Sequence, residues 1–297
     1  MRYVIALLLF SAALPAQFRG GGGPAGQLMR EGKMDEALDV YKKELQANPN
    51  SASALTGTGV VLDLMGKNTE ARTYFQKLID TAPDAAAKAQ AQRHMAESYG
   101  FSGDCKNAVK YEQMVIDYWT ERKDAYQQGE MANEAARFCI DSGDLDTAEK
   151  MYKLGYDYGI NQPDITPDRK HLWEFRLEHA LARIAARRGN KAEAQKHVVA
   201  AKAAVDAIHD NTAGQQQQFY HYLVGYVALY SGEYQKALDA LQQAQNDAFV
   251  QTLIGDAYEK LGPKEKAMEY YRKAAAVTGH NPPAAYARPY ARKKIGE

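Results

Sequence analysis

The chain has 297 residues, with 37 Lys and Arg against 37 Asp and Glu, 45% hydrophobic and 10% aromatic side chains, and two Cys. That is an ordinary folded composition, long enough for a sizeable core, and its balanced charge argues against nucleic acid and anionic membranes as partners. Two cysteines build neither a disulfide framework nor a tetrahedral Cys/His zinc site.

At the start of the chain, Arg2 precedes an uncharged apolar stretch from Tyr3 to Leu14, followed by Pro15, Ala16 and Gln17. Residues 1–16 therefore read as a secretory signal peptide, cleaved after Ala13 or Ala16. The alternative is an anchoring helix, but the apolar run is shorter than the roughly 20 residues a membrane crossing needs. The expected destination is periplasmic or secreted, in a bacterium, with no membrane span in the mature chain. Residues 17–27 carry Gly20, Gly21, Gly22, Gly23, Pro24 and Gly26. Glycine loses the most backbone entropy on folding, so this stretch is expected to be a tether.

The remainder repeats. A Gly is followed five residues later by Ala at Gly32/Ala37, Gly66/Ala71, Gly103/Ala108, Gly143/Ala148, Gly189/Ala194, Gly232/Ala237 and Gly262/Ala267. Seven residues before each Gly stands a small side chain: Ala25, Gly59, Ala96, Ala136, Ala182, Gly225 and Gly255. The spacing predicts a helical hairpin, with the Gly just past the first helix in the left-handed conformation and the small residues where two antiparallel helices cross. Four residues after each Ala come Tyr41, Phe75, Tyr152, Val198, Leu241 and Tyr271, with Glu112 breaking the column and Tyr111 as its expected substitute. Thr166-Pro167-Asp168 signals a helix running to about Arg188, Thr120-Glu121 another helix start, and Asn211-Thr212 a third. A terminal helix is expected from Ala284 to Ile295, kinked or started late by Pro289.

These columns resemble the tetratricopeptide repeat family. Leu55, Gly59, Leu62, Gly66, Ala71, Phe75 and Pro83 match its signature, and Gly255, Tyr258, Gly262, Ala267, Tyr271 and Ala274 match it again. The resemblance spans residues 28–280 and implies an all-α, right-handed α-solenoid of about seven helical hairpins, with residues 281–297 as a C-terminal capping helix. Its first unit is eroded, a half-unit starting near Gln27.

The resemblance also implies which residues look into the concave groove, at thirteen, ten, six and two before each turn Gly. Unit three contributes Gln90, Arg93, Glu97 and Phe101, and unit four Glu130, Asn133, Arg137 and Asp141. Unit five contributes Arg176, His179, Arg183 and Arg187, unit six Phe219, Tyr222, Tyr226 and Tyr230, and unit seven Phe249, Thr252, Asp256 and Lys260. A basic face beside an aromatic ladder suits a protein or peptide partner bearing acidic and apolar groups, since Arg forks onto carboxylates and Tyr offers area at low entropy cost. The candidate partner-binding set is Arg93, Asn133, Arg137, Arg176, His179, Arg183, Arg187, Phe219, Tyr222, Tyr226 and Tyr230. Two plainer readings stand beside it: an arginine face paired with neighbouring carboxylates, and a tyrosine run that is inter-repeat packing.

Chemistry of its own is not expected, and neither is a cofactor. His171, Glu174 and Glu178 share a helix face without a second imidazole one turn away, which is poor for a metal. No phosphate-cradling loop or nucleophile elbow is present. By the repeat register Cys105 opens one helix and Cys139 closes its antiparallel neighbour, so they are either a disulfide or two buried thiols. The function expected is an exported interaction scaffold binding its partner in the groove. A structural adaptor using the convex face and an enzyme with an unrecognised site are the alternatives.

Overall fold

The computed structural model describes residues 23–297, which form fifteen α-helices. The proposed signal peptide lies outside the described residues. The helices pair in chain order: α1 (Gly23–Arg30) with α2 (Met34–Ala47), α3 (Ala52–Leu64) with α4 (Asn68–Asp80), α5 (Ala85–Phe101) with α6 (Cys105–Glu121), and α7 (Ala125–Ser142) with α8 (Leu145–Ile160). Then come α9 (Pro167–Arg187) with α10 (Lys191–Asp206), α11 (Ala213–Tyr230) with α12 (Tyr234–Leu241), and α13 (Ala248–Leu261) with α14 (Lys264–Ala275), before the single helix α15 (Pro282–Ile295).

All seven turn glycines have positive φ, from 68° at Gly103 to 112° at Gly262. Left-handed backbone ends each first helix there, which is where a Cβ is penalised. In three units the next residue caps the second helix: Asp104, Asp144 and Asn190 accept from the amides of Asn107, Thr147 and Glu193. Thr166 caps α9 with Pro167 at its first position, as its sequence signalled. Thr120 does not open a helix. It lies in the last turn of α6, and α7 starts five residues later, at Ala125, with Asp124 as its cap. Thr212 stands at the N-cap of α11 but makes no side-chain bond there. The glycine-rich stretch is helical from Gly23, because Ala25, Gly26 and Met29 bury one face of α1 against the first units. Helix A of unit one is therefore short rather than missing.

The small column serves the residue four past the Ala more than the Ala itself. A Cβ on Gly59 would lie 2.5 Å from the ring of Phe75, one on Gly255 2.5 Å from Tyr271, and one on Gly225 2.5 Å from Leu241 with the Ala237 carbonyl at 3.1 Å. Each bulky side chain of the second helix thus sits on bare backbone of the first. At Glu112 the same slot holds a carboxyl that is wholly buried, with neither oxygen hydrogen-bonded. Tyr111 does not take its place; it stacks on Tyr99, ring centroids 5.6 Å apart.

Cys105 and Cys139 are joined, Cα atoms 4.8 Å apart, tying the start of α6 to the end of α7. Pro289 leaves α15 a single helix that begins at Pro282, where a missing amide costs nothing. This helix does more than cap α13 and α14: it packs against α5 and α7 as well. The array has curled far enough that its C-terminal helix lies inside it.

Candidate functional site

Two buried anchors hold the C-terminal segment in the interior. The Nε2 atom of His280 lies 2.9 Å from Asp63, and its Nδ1 2.7 Å from Glu97, whose same oxygen is 3.0 Å from Nδ1 of His94. Asp63 also accepts from Ser98 and Asn68. Burial opposes a charge on His280, but Glu97 and Asp63 push its pKa up to about 9; burial likewise opposes a charge on Glu97, but the imidazolium and His94 hold it well below the carboxylate range. His94, Glu97 and His280 converge as a metal site would. Their polar atoms are already spent on one another, on Asp63 and on Gln90, and the cluster reads as a clasp. Arg288, the second anchor, donates from Nε to the Leu64 carbonyl at 2.7 Å and from Nη1 to those of Val277 and Ala275. Neither anchor was legible as one in the sequence, where His280 is merely the residue before Asn-Pro-Pro.

The groove positions do face inward, and most of them meet something there. Arg93 forks onto Glu134 at 3.0 and 2.6 Å, and Arg176 pairs with Glu130. Arg183 donates to the hydroxyls of Tyr152 at 2.8 Å and Tyr222 at 3.3 Å, and Arg187 to those of Tyr230 at 3.2 Å and Tyr226 at 3.5 Å. Tyr222 and Tyr226 are buried against Phe249, and only Tyr230, 40% exposed, reaches solvent to a large extent. The basic face and the aromatic ladder are thus each other's partners across the α9–α11 boundary. Arg183 and Arg187 take up tyrosine hydroxyls, while Arg93, Arg137 and Arg176 each meet a carboxylate, as the plainer reading has it. His171 pairs with Glu174 at 3.0 Å while Glu178 turns to His197 at 2.6 Å, so those acids do not converge.

Between α7, α8, α9, α11 and the Pro282-Pro283 corner lies a pocket of about 270 Å³. It is lined by six of the residues singled out above: Asn133, Arg137, Arg176, His179, Arg183 and Phe219. Arg93, Arg187, Tyr222, Tyr226 and Tyr230 stand outside its lining. Glu130, Glu134, Tyr152, Phe175, Gln216, Pro282 and Pro283 complete the walls, the two acids being those that pair with Arg176 and Arg93; Tyr152 sat in the packing column, and the prolines carried only a helix-stop signal.

Arg137 is the open cation of this pocket. Its Nε lies 3.4 Å from Asp141, its plane lies 4.5 Å above the Phe249 ring, and its two terminal nitrogens make no hydrogen bond among the described residues. Arg137, Arg183 and Arg187 all act on the one carboxylate of Asp141, with Asp247 a second acid near Arg137 but bonded to the amide of Val250. Burial, then Arg183 and Arg137, hold His179 well below the usual imidazole range and keep it neutral. The lining sets Arg137, Arg176 and Arg183 against Glu130 and Glu134, an excess of one cation, in a setting where an unbalanced charge is costly.

Family profiles described as tetratricopeptide repeat match residues 28–93 and 250–279. In both stretches the chain is similar to the tetratricopeptide repeat. Its repeats support a role as a protein–protein interaction scaffold, a fold typically without catalysis of its own. No curated protein matches the sequence. Among similar solved structures, the APC/C hetero-tetramer Cut9-Hcn1 shares 17% identity at a TM-score of 0.44, over 85% of this chain and 45% of that one, so the chain spans under half its length. A tetratricopeptide repeat protein from Parabacteroides merdae shares 14% at 0.48, over 92% and 94% of the two chains. A Rap protein complexed with competence and sporulation factor shares 13% at 0.50, over 92% and 74%. Identities this low speak for the fold alone. No helix among the described residues is long and apolar enough to cross a membrane.

Proposed function

We propose that this tetratricopeptide-repeat scaffold captures its protein or peptide partner through an acidic group seated in the interior pocket. The observation that carries the reading is Arg137, a guanidinium oriented by Asp141 and Phe249 whose terminal nitrogens meet no partner among the described residues, in a pocket lined by three arginines and two glutamates. A carboxylate bound there gains a forked, charge-assisted pair and supplies the missing countercharge. Asn133 and the neutral His179 are neighbours able to hydrogen-bond it. Arg183 is a poor residue for testing this, because its buried bonds to Tyr152 and Tyr222 support the fold.

The test is fluorescence anisotropy with a labelled acetyl tetrapeptide of glutamate against one of glutamine. The glutamate probe is expected to bind, and Arg137→Gln to weaken it at least tenfold with the helical content retained. Equal binding of the two probes, or indifference to Arg137→Gln, overturns the reading.

Export is part of the same proposal. The apolar leader and the Cys105–Cys139 bridge support it together, since structural disulfides belong to oxidising compartments. Fractionation with thiol alkylation tests it: a reduced pair in a cytosolic fraction would contradict it.

A further inference from the structure

We infer that the pocket is blind: it admits a short acidic tip, a chain end or a tight turn, and rejects a helix running through the array, because the chain's own C-terminal segment is one of its walls. The inference rests on the acidic-partner reading above and adds the shape of the partner.

An open solenoid offers a continuous channel, and a helix lying in it is about 10–12 Å across. Here two obstructions stand in the channel beside the pocket. Pro282 and Pro283 stand in the pocket wall, and the helix they start covers the inward faces of α5 and α7. In addition, Arg137 of unit four meets Phe249 of unit seven, which is itself packed on Tyr222, Tyr226 and on Tyr286 of that same C-terminal helix. Between these stops the pocket of about 270 Å³ has room for a side chain or two.

The wall is held fast. Moving it would take a wholly buried His280 away from Asp63 and Glu97 and strip three backbone carbonyls from Arg288. Undoing a buried charged pair is strongly unfavourable. A ligand touching Pro283 also gains from the tail being docked, so occupancy and docking must reinforce one another.

Two labelled probes decide it: an acetyl-Gly-Glu-Glu-Gly-amide tetrapeptide and a hydrocarbon-stapled alanine-rich helix of 25 residues carrying Glu-Glu at its centre. The tetrapeptide is expected to bind at least tenfold tighter than the helix. Pro283→Trp, on a partly exposed residue, should weaken the tetrapeptide at least tenfold with helical content unchanged. Saturating tetrapeptide should slow amide exchange in residues 284–295 of the wild-type chain. If the helix binds as well as the tetrapeptide, or Pro283→Trp binds normally, the blind pocket is wrong and the acidic-partner reading survives; if neither probe binds, both fall.

Discussion

His280 and Asp63 stand 217 positions apart, and their side chains lie 2.9 Å from each other. In a linear repeat array each unit touches only its neighbours, and stability is a sum along the chain. This contact makes the second unit and the segment after the seventh depend on one another, so the array is closed as well as stacked.

The clasp should register in the pH dependence of stability. His280 has a folded pKa of about 9, above the ordinary 6.5, so its contribution is complete below about pH 6.5 and is lost as the pH rises through 9. Replacing it by Gln should cost about 3 to 5 kcal/mol at pH 6, the scale for breaking a buried charged pair. Urea unfolding of both proteins from pH 6 to 10 should show the gap closing; a constant gap would mean the imidazole is uncharged in the clasp.

The Cys105–Cys139 bridge closes a loop across 34 positions. By the chain-entropy relation it contributes about 3 to 4 kcal/mol, so mild reduction or the double Cys→Ala variant should lower the unfolding free energy by that amount. Identical denaturation midpoints with and without reductant would show that the bridge carries no such role.

Two glycines seven residues apart should respond differently to the same change. Gly59→Ala pushes a methyl to 2.5 Å from the Phe75 ring, an overpacking of about 1 to 3 kcal/mol. Gly66→Ala has nothing within 4 Å and suffers only from its φ of +81°, about 1 kcal/mol. Thermal melts should rank Gly59→Ala as the less stable variant.

Glu112 is a case where a substitution should help. Burial first, then the charge of Glu134, raise its pKa well above the usual value, so the folded chain keeps a proton that the unfolded chain releases above about pH 4.3. Its stability contribution therefore worsens as the pH rises from there. Glu112→Leu, which restores the apolar column, should raise stability at pH 7 by about 1 to 3 kcal/mol and by less at pH 4. A loss of stability at pH 7 would show that the contacts of this carboxyl with Glu134 and Arg93 outweigh the cost of burying it.

What the sequence determined by itself is local. The left-handed turn at each of seven glycines, the small residue beneath each bulky one, and the caps at Asp104, Asp144, Asn190 and Thr166 all involve groups within one hairpin. Their periodicity was therefore enough to recover the solenoid and the inward direction of Arg137, Arg183 and Tyr222. The neighbouring ends of α6 and α7 likewise brought Cys105 and Cys139 into range of one another. Whether an inward side chain faces open space is a different quantity, because it depends on small rotations between units summed over seven of them. Those rotations close the array, set Phe249 under Arg137, bury His280 between Asp63 and Glu97, and place Pro282 and Pro283 beside residues more than a hundred positions earlier. No local pattern encodes such a sum, and only the tertiary structure decided that most of the groove among the described residues is filled and that Arg137 is left facing a pocket.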